Sequence, residues 1–169
     1  MGRVVHMDTE FRDAMSYIPT SVSIVALINN LKITACTISS LVSVSIDPSN
    51  PEVLFVLKKE SHTGSLIAKN KLFTLNVLAD NQQNFASEFS RLRDFDQEVD
   101  SNRWKLRSEK FIQLNGSRVV MDCEFNQVYK DHLADIYVAK VLNYEFDSTT
   151  PALIYDERKY GSFLPNSHN

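Results

Sequence analysis

Between Ser21 and Lys59, four β-patterned segments follow one another with only turn chemistry between them. They read SVSIVALI (Ser21 to Ile28), KITACTI (Lys32 to Ile38), LVSVSI (Leu41 to Ile46) and EVLFVLKK (Glu52 to Lys59). Alternation with a period of two over such short runs is the signature of strands. Asn29-Asn30 predicts a hairpin turn after the first, and DPSNP predicts a proline-bounded turn before the last. In LVSVSI the residues Val42, Val44 and Ile46 alternate with Ser43 and Ser45, which predicts one buried face. EVLFVLKK is apolar almost to its end and predicts a central strand buried on both faces. Parallel pairing needs long crossovers between strands, so a doubly wound sheet is excluded and antiparallel pairing remains.

The rest of the chain fits the same class. Asp8 to Ile18 predicts a helix with Phe11, Ala14, Met15 and Ile18 on one face, Asp8 or Thr9 as its cap and Pro19 as its stop. SHTGSLIAKN predicts a short helix capped by Ser61 or Thr63, LFTLNVLA a strand, and NQQNFASEFSR a helix burying Phe85, Ala86 and Phe89. From Leu92 to Lys110 the sequence is charged and irregular, which predicts an exposed excursion around Trp104. SRVVMDCEFNQVYKDH, DIYVAKVLNYEF and PALIYDERKY return to strand patterning. No repeat, linker or low-complexity tract divides the chain, so one domain over residues 1–169 is expected. Its class is mainly β, an antiparallel barrel decorated by a few helices.

Charge and cysteine usage exclude several functions. Net charge is −3 with a pI near 5.8, so no basic field attracts nucleic acid or an anionic membrane. Cys36 and Cys123 lie far apart, and no His, Cys and carboxylate cluster has metal-ligand spacing. No apolar run reaches membrane-spanning length, and MGRVVHMDTEF lacks a signal-peptide core, so a soluble cytoplasmic protein is expected. With four glycines and no G-x-G-x-x-G, any dinucleotide is held outside a Rossmann site.

Three segments are candidates for chemistry. Thr37-Ile38-Ser39-Ser40 puts small hydroxyls where β-branched bulk is expected, either as a loop facing water or as backbone left open to a flat polar ligand. Lys58 and Lys59 end a strand and run into Ser61, His62 and Thr63 at a helix start. That arrangement suits a phosphate through the helix dipole, leading amides and nearby cations, and it equally suits an ordinary strand end and cap. His132, beside Asp131 between two strands, is either a turn residue on the surface or an imidazolium tuned by the carboxylate.

Taken in order, the segments resemble the short-chain flavin reductase family, the reductase components of two-component flavin-dependent monooxygenases. The resemblance is carried by FRDAMSYIPTSVSIVAL, TACTISSLVSVSIDPSNPEVLFVL, KKESHTGSLI, LFTLNVLADNQQNFASEFS, KDHLADIYVAKV and PALIYDERKYGSF, which together span Phe11 to Phe163. It implies a Greek-key split β-barrel that binds FMN or FAD, a homodimer, and NADH or NADPH as hydride donor. By the same resemblance Thr37, Ile38, Ser39 and Ser40 line the flavin ring and ribityl chain. Lys58, Ser61, His62 and Thr63 hold its phosphate, Phe89 walls the pocket, and His132 and Tyr160 sit near the nicotinamide. Reduced flavin either stays bound or feeds a partner oxygenase. Ser21, Lys130 and Ala139 stand where the family carries glycine. That departure keeps open a flavin-binding carrier or sensor without NAD(P)H turnover.

Overall fold

A computed structural model describes the backbone of residues 7–91 and 96–163 and the side chains of residues 10–91 and 99–163. The expected caps Asp8 and Thr9 lie inside α1, which begins at Met7, rather than before it, and residues 92–95 of the charged excursion fall outside the described residues. In chain order come α1 (Met7–Ser16), β1 (Thr20–Ser21), β2 (Ser23–Asn29), β3 (Lys32–Ile38), β4 (Val42–Ser45) and β5 (Glu52–Lys58). Next are α2 (His62–Asn70), β6 (Leu72–Val77), a 3-10 turn (Asp80–Gln82), α3 (Gln83–Arg91), β7 (Asp96–Glu98), β8 (Trp104–Leu106) and β9 (Ile112–Leu114). The long hairpin β10 (Val119–Lys130) and β11 (Ala134–Phe146) follows, then β12 (Leu153–Asp156) and β13 (Lys159–Ser162).

Eight strands form one sheet in the order β4-β5-β11-β10-β6-β2-β3-β7, antiparallel at every pairing. The mainly β class expected from the patterning is what forms. The barrel is open rather than closed by main-chain bonds, because β4 and β7 are free edges of this sheet among the described residues. Between β2 and β3 the turn is Asn30-Leu31, one residue later than expected, with both residues at positive φ (50° and 66°). That pair of values is a type I′ turn, whose twist matches the strands it joins.

Two apolar clusters fill the two sides of this sheet. One is centred on Phe55, Ile67, Phe73, Leu75 and Tyr137, with α2 packed over it. The other holds Ile24, Leu78, Ala86, Phe89, Trp104 and Leu114 under α3 and the β8–β9 hairpin. The charged excursion therefore does not leave Trp104 outside, since that side chain is 2% exposed. Buried polar side chains hold the hairpin down. Thr74 Oγ1 accepts from Ile112 N–H (3.2 Å) and Asn76 Oδ1 from Leu114 N–H (2.9 Å). Arg107 Nε donates to both oxygens of buried Asp122 (3.0 and 3.1 Å).

Two burial expectations are overturned. Val42 is 54% exposed, and Val44 and Ile46 are exposed with it, because β4 is an edge strand whose apolar face no part of the described chain covers. β5 buries Val53, Phe55 and Leu57 on one face only, and Leu54 and Val56 on the other are half-covered. α1 stops at Ser16, short of the expected Ile18, and Phe11 and Met15 on it are exposed, as is Ile18 after it.

Candidate active site

The three candidate segments meet at one rim of the sheet. β5 delivers Lys58, paired in register with Ala134 of β11, so the end of β5 lies against the β10–β11 turn that carries His132. The contact is made by main chain, with Lys59 N–H donating to Leu133 O (3.1 Å) and Asp131 N–H closing the turn on Ala134 O (3.2 Å). On the other side Ser40 of the knot is bonded to Val56 of β5, and Thr63, buried in the first turn of α2, interacts with the Cys36 thiol of β3, next to Thr37. Burial pushes the Cys36 thiol up to about 11, and Thr63 offsets part of that rise.

The start of α2 is built as its sequence suggests. Ser61 is the N-cap, its Oγ accepting from Gly64 N–H (3.3 Å) and its carbonyl from Ser65 N–H (3.0 Å). The amides that lead the helix belong to the end that carries partial positive charge. Exposed Lys58 and Lys59 and half-buried His62 stand beside it. This donor set fits a phosphate. Glu60, exposed and at φ 61°, is the one carboxylate between Lys58 and Thr63.

The hydroxyl knot divides its work. Thr37 Oγ1 donates to Ala86 O of α3 (2.8 Å), and Ile38 is buried in the first core cluster. Ser39 is exposed. Ser40 Oγ accepts from Val56 N–H (2.9 Å). Of the other residues named from sequence, His132 is exposed in its turn. Phe89 and Tyr160 do not join this rim. Phe89 is 3% exposed and set edge-on to Trp104 (centroids 5.8 Å), so as a core residue it walls no surface of the single chain. Tyr160 packs on Tyr155 (5.2 Å) in the separate sheet of β1, β12 and β13, beside the second cluster.

Sequence reasoning missed Gly64 and Tyr137. An added Cβ at Gly64 would stand 2.3 Å from Tyr137 Oη, so helix and strand meet there with no room for a side chain. The available signal was a glycine in the first turn of a predicted helix, in a chain with four glycines. Tyr137 itself stacks on Phe55 (5.5 Å, 11°) and its hydroxyl pKa is raised by burial, then by Asp135 and Cys36. Of the three positions where glycine was expected, only Lys130 lies near the rim. Ala139 is fully buried between Val53 and Phe125, and Ser21 pairs with Ile154 in β1.

Among the described residues no cluster of His, Cys, Asp and Glu is arranged to hold a metal ion. Two open grooves, of about 390 and 440 Å³, lie by Glu52, Glu124 and Lys140 and by Val99, Trp104 and Leu106, and neither is lined by a candidate residue. No helix among the described residues is long and apolar enough to cross a membrane.

Comparison with known proteins points the same way as the geometry. The model of the flavin reductase like domain matches residues 15–164. An FMN reductase (NADH) RutF of Serratia proteamaculans is 24% identical over 155 residues, covering 92% of this chain and 87% of that protein. Among solved structures, the NADH:FAD oxidoreductase SgcE6 of Streptomyces globisporus C-1027, in complex with NAD and FAD fragments, superposes with a TM-score of 0.86 at 20% identity. That superposition covers 99% of this chain and 100% of the other. The styrene monooxygenase flavin reductase SMOB of Pseudomonas putida S12 gives 0.80 at 22% identity over 92% and 98% of the two chains.

Proposed function

This chain belongs to the family of flavin reductase like domains, and from that membership we propose that it is an NAD(P)H-dependent flavin reductase. The observation that carries the reading is the meeting at one rim of residues 37–41, the start of α2 and the His132 turn. When bound, FMN or FAD supplies a ring that takes up a hydride from the reduced nicotinamide, leaving NAD(P)+ and reduced flavin. The protein's part is to hold donor and acceptor at reacting distance. Ser61, His62, Thr63 and Lys58 grip the phosphate through the helix end and its cation. Backbone around Ser39 presents donors where negative charge develops on the reduced ring.

The His132 turn is pinned to Lys59, and on this reading His132 belongs to the nicotinamide side. His132→Ala is expected to slow flavin reduction roughly tenfold with FMN affinity unchanged, as loss of a positioning contact does. Rapid-mixing kinetics beside an FMN titration checks this, and equal rates would make His132 a surface turn residue.

The working unit is a homodimer. Val42, Leu54 and Val138 form one cross-strand row over β4, β5 and β11, and Val56 and Ile136 stand opposite one another in the next. Beyond them Leu142, Tyr144 and Phe146 are exposed on β11. An apolar sheet face of this kind, exposed at Val42 and Ile136 and ending in an edge strand, suits a second copy of the chain. Sedimentation at micromolar concentration showing only monomer would remove this part of the reading. The styrene monooxygenase reductase among the structural neighbours supports a flavin-dependent oxygenase as the consumer of reduced flavin. Cys36 and Cys123 are unpaired thiols, which supports a reducing, cytoplasmic setting.

A further inference from the structure

Two of the three hydroxyl residues in the knot, Thr37 and Ser40, turn their hydroxyls onto protein. The β4–β5 ladder pairs Val42 with Leu54 and Ser43 with Val53. Carried two residues back along β4, the same register puts Ser40 opposite Val56. Main-chain pairing does not continue that far, because β3 ends at Ile38, β4 begins at Val42, and residues 39–41 belong to no strand. The Ser40 side chain takes over the missing rung instead. Its Oγ accepts from Val56 N–H (2.9 Å) and donates to Val56 O (3.4 Å), the two bonds a facing strand would make there. At the other end Thr37 Oγ1 is fixed to Ala86 O of α3 (2.8 Å). The chain between them hangs from two side-chain anchors, one on a helix and one on a strand.

Building on the flavin-reductase reading above, we propose that Thr37 and Ser40 are positioning residues rather than flavin ligands. Their hydroxyls hold residues 39–41 in place without drawing on that segment's own amides and carbonyls. A backbone group needs a partner, and one held outside every ladder at a rim is ready to take it from a ligand. Flavin contact then falls to the backbone of residues 39–41 and to the exposed Ser39. The anchors also fix this segment against β5, which carries Lys58 toward the start of α2, so ring contact and phosphate contact are set by one framework. Small side chains are needed here because only a hydroxyl one carbon from the main chain reaches the facing rung; threonine offers the same reach and alanine does not.

The test uses full-length Ser40→Ala, Ser40→Thr and Thr37→Val, with FMN as the probe and hydrogen exchange of the flavin-free protein as an independent readout. Ser40→Ala is expected to raise the FMN Kd about five- to tenfold, the effect of one net hydrogen bond. It is also expected to speed exchange of the Val56 amide about tenfold before any flavin is added. Ser40→Thr restores both, and Thr37→Val, equal in shape, weakens FMN binding without touching Val56. In turnover the loss appears in KM for flavin, with kcat largely kept. Weaker FMN binding with unchanged Val56 exchange would overturn the proposal by making the Ser40 hydroxyl a direct ligand. Faster exchange with unchanged FMN affinity would overturn it by making the clamp purely structural. A wild-type chain that binds flavin without reducing it sinks only the reductase reading, since affinity and exchange still decide the role of Ser40.

Discussion

Ser61→Asp is expected to weaken FMN binding on the order of 10- to 100-fold with the fold intact, a loss that follows from charge alone. Ser61 caps α2 through the Gly64 amide, and aspartate caps helices as well as serine does. Its carboxylate is favoured by the helix dipole, so the free protein is not destabilised. In the proposed site the same charge then faces the flavin phosphate, at ~1–4 kcal/mol for unit charges about 4 Å apart near a surface. Salt provides a second signature, because screening shrinks the gap between variant and wild type as ionic strength rises. Ser61→Ala behaves differently, costing about 1 kcal/mol of stability through the lost cap while affinity falls only a few-fold. Fluorescence titration of FMN against each variant measures all of this. Unchanged affinity in Ser61→Asp would place the phosphate elsewhere.

Gly64→Ala is expected to destabilise the protein by about 1–3 kcal/mol, as overpacking of a filled site does. The new methyl would stand 2.3 Å from Tyr137 Oη and 2.9 Å from Cζ. Tyr137 has little freedom to withdraw, being 6% exposed and stacked on Phe55, so the strain falls on α2. With the phosphate placed at the start of α2 as proposed, FMN affinity is expected to fall together with stability. Adding Tyr137→Phe relieves the closer contact and recovers part of both. Gly161→Ala is the control: an added Cβ there meets nothing within 4 Å, and a shift within ~0.5 kcal/mol is expected. Urea unfolding at matched slopes checks the set. A Gly64→Ala protein as stable as wild type would contradict the packing of α2 on β11.

Most strands were legible because they alternate and are bounded by turn residues, and the cap at Ser61 because its chemistry is local, whereas β7, β8 and β9, three residues each in or beside the charged tract, carry no such pattern. What alternation does not specify is which apolar face its own chain covers. Val42 and Val44 have the pattern of a buried face and lie uncovered, since that depends on which strand occupies the edge. Trp104 shows the converse, a bulky residue in a charged tract that the β8–β9 hairpin folds inward. The hydroxyl knot was visible as an anomaly, and its partners were not. Ser40 reaches Val56 across 16 residues of sequence and Thr37 reaches Ala86 across 49, separations on which local periodicity is silent. Phe89 and Tyr160 were placed at the site by resemblance, and their packing in the second cluster became visible only with the fold.

The most direct test of the central claim is anaerobic stopped-flow mixing of the flavin-loaded protein with NADH and, separately, NADPH, following loss of oxidised-flavin absorbance. The account predicts rapid bleaching with at least one of the two donors, saturating in donor concentration. Tight flavin binding without bleaching by either donor would contradict the reductase and leave a flavin carrier or sensor on the same rim.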